Sequence, residues 1–164
     1  MTRDPNQGVT VSIIDRLIDV DPGTRSEAPP TRAQSVRQLR QSLKRDLEWL
    51  LNTRRVTDTQ VESSDEMKNS VLTFGLPDVS NYTIASSRDM NRLAWLIEGA
   101  VSTFEPRLEG AKILMEPMSD GASRTLRFTI EGLLRMSPAP ERVSFDTVLE
   151  LSSGSYQVKG EGGA

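Results

Sequence analysis

Phe104-Glu105-Pro106-Arg107-Leu108 decides how this chain is read, because a strongly amphipathic helical pattern stops there and an alternating, strand-like pattern begins. Proline fixes its own φ, lacks an N–H, and biases the residue before it away from the helical region. The helix therefore ends at Glu105. In an extended segment Glu105 and Arg107, two positions apart, project to one side and present a carboxylate beside a guanidinium. Two readings of this pair stay open. One is a local ion pair that closes the helix-to-strand corner. The other is intermolecular, since arginine is enriched at interface hot spots and a rigid proline lowers the ordering cost of presenting it.

Upstream of the corner, Ser86-Ser87-Arg88-Asp89 supplies an N-cap with an acidic residue three positions on. The helix it opens runs to Phe104, with Met90, Leu93, Ala94, Ile97, Ala100, Val101 and Phe104 on one apolar stripe. A second helix is predicted from Gln34 to Thr53, where Val36, Leu39, Leu43, Leu47, Leu50 and Leu51 recur at helical spacing. Arg37, Arg40, Lys44 and Arg55 share one flank of it, with Arg32 and Arg54 nearby. This basic ridge is either a solvated flank softened by Asp46 and Glu48 or a docking surface for an acidic partner. Trp49 falls nearly opposite the leucine stripe, one turn after Arg45, where a cation–π contact could form. Trp95 likewise lies off its helix's stripe. The pair indicates a two-sided packing layer or exposed apolar contacts.

Farther toward the amino terminus, Ser12-Ile13-Ile14-Asp15-Arg16-Leu17-Ile18 reads as a short helix capped by Ser12, one that needs docking. Asp21-Pro22-Gly23 and Pro29-Pro30 mark residues 19–33 as a mobile linker. Between the two long helices, Ser70-Val71-Leu72-Thr73-Phe74-Gly75-Leu76-Pro77-Asp78 reads as a loop pinned by apolar anchors. Beyond the corner the period becomes two. Lys112–Glu116, Leu126–Glu131, Val143 to Leu151 and Tyr156–Lys159 read as strands, with turns at Ser119-Asp120-Gly121 and Ser152-Ser153-Gly154. Pro138 and Pro140 mark a longer connection. The predicted fold class is α+β, with amino-terminal helices packed on a small antiparallel meander. Residues 1–33 are expected to form a short helix and flexible linker, 34–159 a single domain, and 160–164 a disordered tail.

Composition narrows the chemistry. The 164 residues include neither cysteine nor histidine, which removes thiol nucleophiles, Ser-His-Asp triads and the usual zinc motifs. No cofactor or metal is expected. A net charge of −3 gives no global field for nucleic acid, and no apolar stretch is long enough to span a bilayer. The expected location is cytoplasmic. No phosphate-binding glycine loop or nucleophile elbow is present, which leaves two-carboxylate glycoside hydrolysis, with Glu98, Glu105, Glu109, Glu116 and Glu131 as candidates. Nothing in their spacing singles out an acid and its partner.

Three segments in order carry a resemblance: Arg45-Asp46-Leu47-Glu48-Trp49-Leu50-Leu51-Asn52-Thr53-Arg54-Arg55, the loop at residues 70–78, and the Phe104–Leu108 corner. Together they resemble the TssE family, the baseplate component of the bacterial type VI secretion system, related to a baseplate wedge protein of contractile-tailed phages. Ser12 to Leu17 is similar to that family's amino-terminal segment, and the likeness extends to about residue 135. Thr73 stands where the family is expected to have Asn. The resemblance implies a noncatalytic protein with a fold like the handshake domain of the sheath subunit. It also implies assembly with the wedge proteins TssF, TssG and TssK, initiation of sheath polymerisation, and a place at the membrane-associated baseplate. Its Glu-Pro-Arg motif makes Glu105, Pro106 and Arg107 the partner-binding residues, to which the sequence reading adds Trp49 and Arg45. An open sheet edge would serve a neighbour's strand or weak self-association. A peptidoglycan-cleaving muramidase and a small regulatory adaptor are the competing readings. Arg107→Glu is expected to spare folding and abolish assembly.

Overall fold

The structure, a computed structural model, describes residues 12–18, 23, 31–56, 65–68, 70–79, 82–83, 86–116, 125–137 and 139–160. Most of the expected 19–33 linker, the Ser119-Asp120-Gly121 turn, Pro138 and residues 161–164 lie outside these.

Two long helices cover one face of a four-stranded sheet. α1 spans Ile13–Leu17 and α2 spans Arg32–Asn52. Thr31 caps α2 through a reciprocal capping box with Gln34, so the helix starts at Arg32, two residues before the predicted Gln34, and residues 31–33 belong to it rather than to a linker. The short α3, Asp65–Lys68, and a 3-10 turn at Val71–Thr73 lead to α4, Ser87–Phe104. Four strands follow: β1 Leu108–Met115, β2 Thr125–Leu134, β3 Glu141–Glu150 and β4 Ser155–Val158. They pair antiparallel in chain order, β1-β2-β3-β4, which is the predicted meander.

Helical and strand periods meet in one core. Leu39, Leu43, Leu47, Leu50 and Leu51 of α2 and Leu93, Ile97 and Val101 of α4 are buried against the inward residues of the sheet, among them Phe128, Ile130, Val143, Phe145 and Leu149. Burying each such side chain is worth about 1.5–3 kcal/mol, enough to hold helices that propensity alone would leave marginal. Trp49 and Trp95 are 58% and 70% exposed, so the structure resolves their position in favour of exposed apolar contacts over a second packing layer.

The loop at residues 70–78 is fixed by backbone. Leu76 N–H donates to Thr53 O at 2.8 Å and Arg55 N–H donates to Leu76 O at 2.9 Å, which ties the loop to the end of α2. Gly75 has φ +107°, and a Cβ there would lie 2.1 Å from Thr53 O. Only glycine fits at this contact. Thr73 Oγ donates to Lys68 O at 2.6 Å, so the hydroxyl closes the loop from inside.

Candidate partner-binding site at the helix-to-sheet corner

α4 stops where proline requires. Glu105 is its C-cap, at φ −125° and ψ 70°, and its N–H still donates to Val101 O at 2.8 Å. The next residues do not form the extended segment that the sequence suggested. Leu108 N–H donates back to Glu105 O at 3.0 Å, closing a four-residue turn with Pro106 in its second position, where proline's φ is preset. The turn needs only four residues to enter β1, and this is why it displaces an extended link. Arg107 O accepts from Arg135 N–H at 2.7 Å, which fixes the corner to the end of β2.

This turn still brings Glu105 and Arg107 together, and more tightly than strand alternation would. Arg107 Nε and Nη2 each lie 2.6 Å from one oxygen of the Glu105 carboxylate, a bidentate pair. Nη2 also donates to Asp46 Oδ2 at 2.6 Å, and Nη1 lies 3.4 Å from Ser42 Oγ. The hydrogen bonds to Glu105, then its charge and Asp46, outweigh burial and raise the Arg107 pKa further. Glu105 is only 5% exposed, so its carboxylate depends on this guanidinium for compensation.

Asp46 extends the pair into a chain. Its other oxygen accepts from Arg45 Nε at 2.9 Å and lies 2.8 Å from Nη2, while Arg45 Nη1 reaches Asp15 at 2.9 Å on α1. The Arg45 guanidinium sits 5.1 Å from the Trp49 ring centroid, the predicted cation–π geometry. Asp15 also accepts from Ser12 and Ser42. Burial pushes the Asp15 carboxyl up, but hydrogen bonds from Ser12, Ser42 and Arg45 and the Arg45 charge hold it below its usual value.

The structure thus joins Glu105, Arg107, Arg45 and Trp49, with Pro106 shaping the turn, through residues the sequence reading had not assigned to the site. Asp46 had been read only as a charge softening the basic ridge, and Ser42 and Asp15 had no site role. Ser42, interrupting the leucine run of α2 while 5% exposed, is the signal that a polar group was to be met there. The basic ridge itself is partly consumed. Arg40 pairs with Glu141, Arg32 donates to Ser137 O at 3.0 Å, and Arg54 reaches Asp78 at 3.0 Å.

The sheet edges are also modified by side chains. Asn52 receives the Tyr156 N–H at 2.9 Å and donates to Tyr156 O at 2.8 Å, standing in for a neighbouring strand beside β4. Glu98 accepts the Ile113 N–H of β1 at 3.0 Å. Such side-chain caps blunt an edge against random pairing.

Away from the corner, at the amino-terminal end of α4, a groove of about 1050 Å³ is lined by Leu51, Leu76, Met90, Leu149 and Tyr156, with Glu116 at its wall. Glu105 is engaged with Arg107, and Glu109 lies 3.6 Å from Arg135. Among the described residues no group of three or more acidic side chains is placed to hold a metal ion, and no helix is long and apolar enough to cross a membrane.

Fold and corner define an α+β domain whose helices cover one face of an antiparallel meander and whose helix-to-sheet junction is clamped by charge. A family model for baseplate wedge protein gp25 matches residues 37–139, most of the chain, and the protein belongs to that family. It is therefore a component of the phage-tail type of baseplate. No curated protein and no solved structure gives a match.

Proposed function

We propose that this chain is a structural subunit of a type VI secretion baseplate wedge. It joins the other wedge proteins, TssF, TssG and TssK, and helps start polymerisation of the contractile sheath. Residues 31–159, from the cap of α2 onward, form the wedge domain, and Glu105, Pro106, Arg107, Arg45 and Trp49 form its partner-binding surface. The observation that carries this reading is the continuity of the corner: a buried carboxylate, a bidentate arginine, a shared aspartate and an arginine stacked on an exposed tryptophan form one connected strip. An exposed aromatic beside a pre-ordered arginine is the composition of an interface hot spot.

The burial of Glu105 changes how the surface is tested. Reversing the charge at Arg107 would set a new carboxylate beside Glu105 and Asp46, so Arg107→Glu is expected to harm the fold as well as assembly, against the sequence-based expectation. Arg107→Lys keeps the charge while losing the bidentate fork and the bridge to Asp46. Wild type should co-purify with the baseplate proteins encoded beside it. The folded Arg107→Lys and Trp49→Ala variants should each lose most of that association. Absence of any wedge partner for the wild type would end this reading. Undiminished association of both variants would reduce the corner to a structural joint.

A further inference from the structure

Both arginines of the proposed partner surface are already engaged within the chain. Arg45 Nε and Nη2 lie 2.9 and 2.8 Å from Asp46 Oδ1, and its Nη1 lies 2.9 Å from Asp15 Oδ1. Arg107 Nε and Nη2 hold the two oxygens of Glu105, Nη2 also holds Asp46 Oδ2, and Nη1 faces Ser42 Oγ. Every guanidinium nitrogen thus has a partner in its own chain, and the two side chains are 31% and 26% exposed. Trp49 is 58% exposed, and its ring centroid lies 5.1 Å from the Arg45 guanidinium carbon. The most open member of the strip is the ring. A guanidinium on a long, flexible stem steadies a ring beside it only if the guanidinium is itself held. Asp46 supplies the larger hold, since two of the three Arg45 nitrogens meet its Oδ1 and one meets Asp15. Asp46 is fixed in turn by Arg107, 2.6 Å from its Oδ2, and Arg107 is fixed by the buried Glu105 carboxylate.

We propose that Asp46 is a positioning residue of the interface: through Arg45 it fixes the Trp49 ring, and that ring makes the main contact with the partner. Its binding role rests on the wedge reading above. A tryptophan offers a large contact area, and one ordered before binding loses less freedom when a partner covers it. The order reaches Trp49 from the inside outward. Glu105, held in the core side of the corner, orients Arg107; Arg107 orients Asp46; Asp46 orients Arg45; and Arg45 lies against the ring. A corner whose charges are satisfied internally can therefore govern association without touching the partner. Asp46 needs no contact with the partner either. Its effect on binding must then pass through Trp49, which separates positioning from a general contribution to the fold.

The test uses the full chain with Trp95→Phe, so that Trp49 is the one remaining tryptophan. Time-resolved fluorescence anisotropy of the isolated chain reads the nanosecond motion of that ring, and association with the neighbouring wedge proteins is measured on the same variants. Asp46→Asn keeps the side-chain shape and removes its charge. It should enlarge the fast component of the anisotropy decay and weaken association about ten-fold. In a Trp49→Ala background the same substitution should cost no further affinity. Arg45→Met, which leaves the Asp46–Arg107 contact in place, should loosen the ring equally and carries the test if Asp46→Asn does not fold. An unchanged decay in the folded variants overturns the proposal, as does a loosened ring with undiminished association. So does an affinity loss that persists in full when Trp49 is already alanine, because Asp46 would then act on the fold or touch the partner itself. A wild type that captures no wedge protein overturns the wedge reading and the binding role with it, while the anisotropy still decides whether Asp46 restrains the ring. Capture by the wild type with a ring indifferent to Asp46 overturns this inference and leaves the wedge reading standing.

Discussion

Helices α1 and α2 attach to the same protein through opposite chemistry. α2 contributes Leu39, Leu43, Leu47, Leu50 and Leu51 to the core, whereas α1 is tied down by Asp15 on Ser42 and Arg45 and leaves its aliphatic side chains in solvent. Apolar burial is non-directional and insensitive to salt, while partly exposed ion pairs are worth about 0–1 kcal/mol each and weaken with ionic strength. A helix held by apolar burial and one held by ion pairs thus differ in strength and in what disturbs them.

The comparison breaks first at the scaffold. Leu47→Ala should cost about 2–5 kcal/mol, read as a fall in the denaturant midpoint, and the loss should be the same in low and high salt. Leu47 is fully buried, so little of its cavity can be relieved by solvent. Arg107→Gln comes next, at about 3 kcal/mol, because it leaves the Glu105 carboxylate buried without its bidentate partner. The Arg107 side chain is 26% exposed, which keeps the cost at the lower end of the range for broken buried pairs. A variant as stable as wild type would show that Glu105 finds water instead.

The smallest global effect is expected at α1. Asp15→Ala should leave the main unfolding transition within about 1 kcal/mol of wild type. It should nevertheless abolish protection of the Ile18 N–H, which donates to Ile14 O at 3.1 Å, in hydrogen exchange. The pH response sharpens the same contrast. Against its burial, the Asp15 carboxyl is held below the usual aspartate range in the folded protein by hydrogen bonds from Ser12, Ser42 and Arg45. Its contribution is therefore present above the unfolded pKa and is lost as pH falls through the folded one. α1 should stay docked through neutral pH and detach below about pH 4, with Trp49 emission shifting as Arg45 is released. Loss of α1 protection together with α2 would mean that the two helices are one cooperative unit.

Much of this architecture was legible before any coordinates. The stripes of α2 and α4, the Ser12 and Ser86 caps, the stop at Glu105-Pro106 and the chain-order meander all follow from periodicity and local turn chemistry. Apolar periodicity places the start of α2 too late because its first turn, Arg32-Ala33-Gln34, is mostly polar and is set by the Thr31–Gln34 capping box instead. At the corner the sequence brings Glu105 and Arg107 to one side but predicts an extended segment where the chain turns, since alternation and a tight turn both bring positions two apart to one side. Its wider membership was not readable. Asp46 serves Arg107 across 61 positions and Asn52 serves Tyr156 across 104, and no periodic pattern records such partners.

By itself the sequence determined the elements, because each depends on φ preferences and on which side chains avoid water within a few residues. Tertiary structure decided the use made of polar side chains: Asp46 between two arginines, Asn52 beside β4, Gly75 against Thr53, and Asp15 turning α1 so that its apolar side faces out. Hydrogen bonds and ion pairs are short-ranged and directional, and their partners exist only after the leucine core has set the distances between elements.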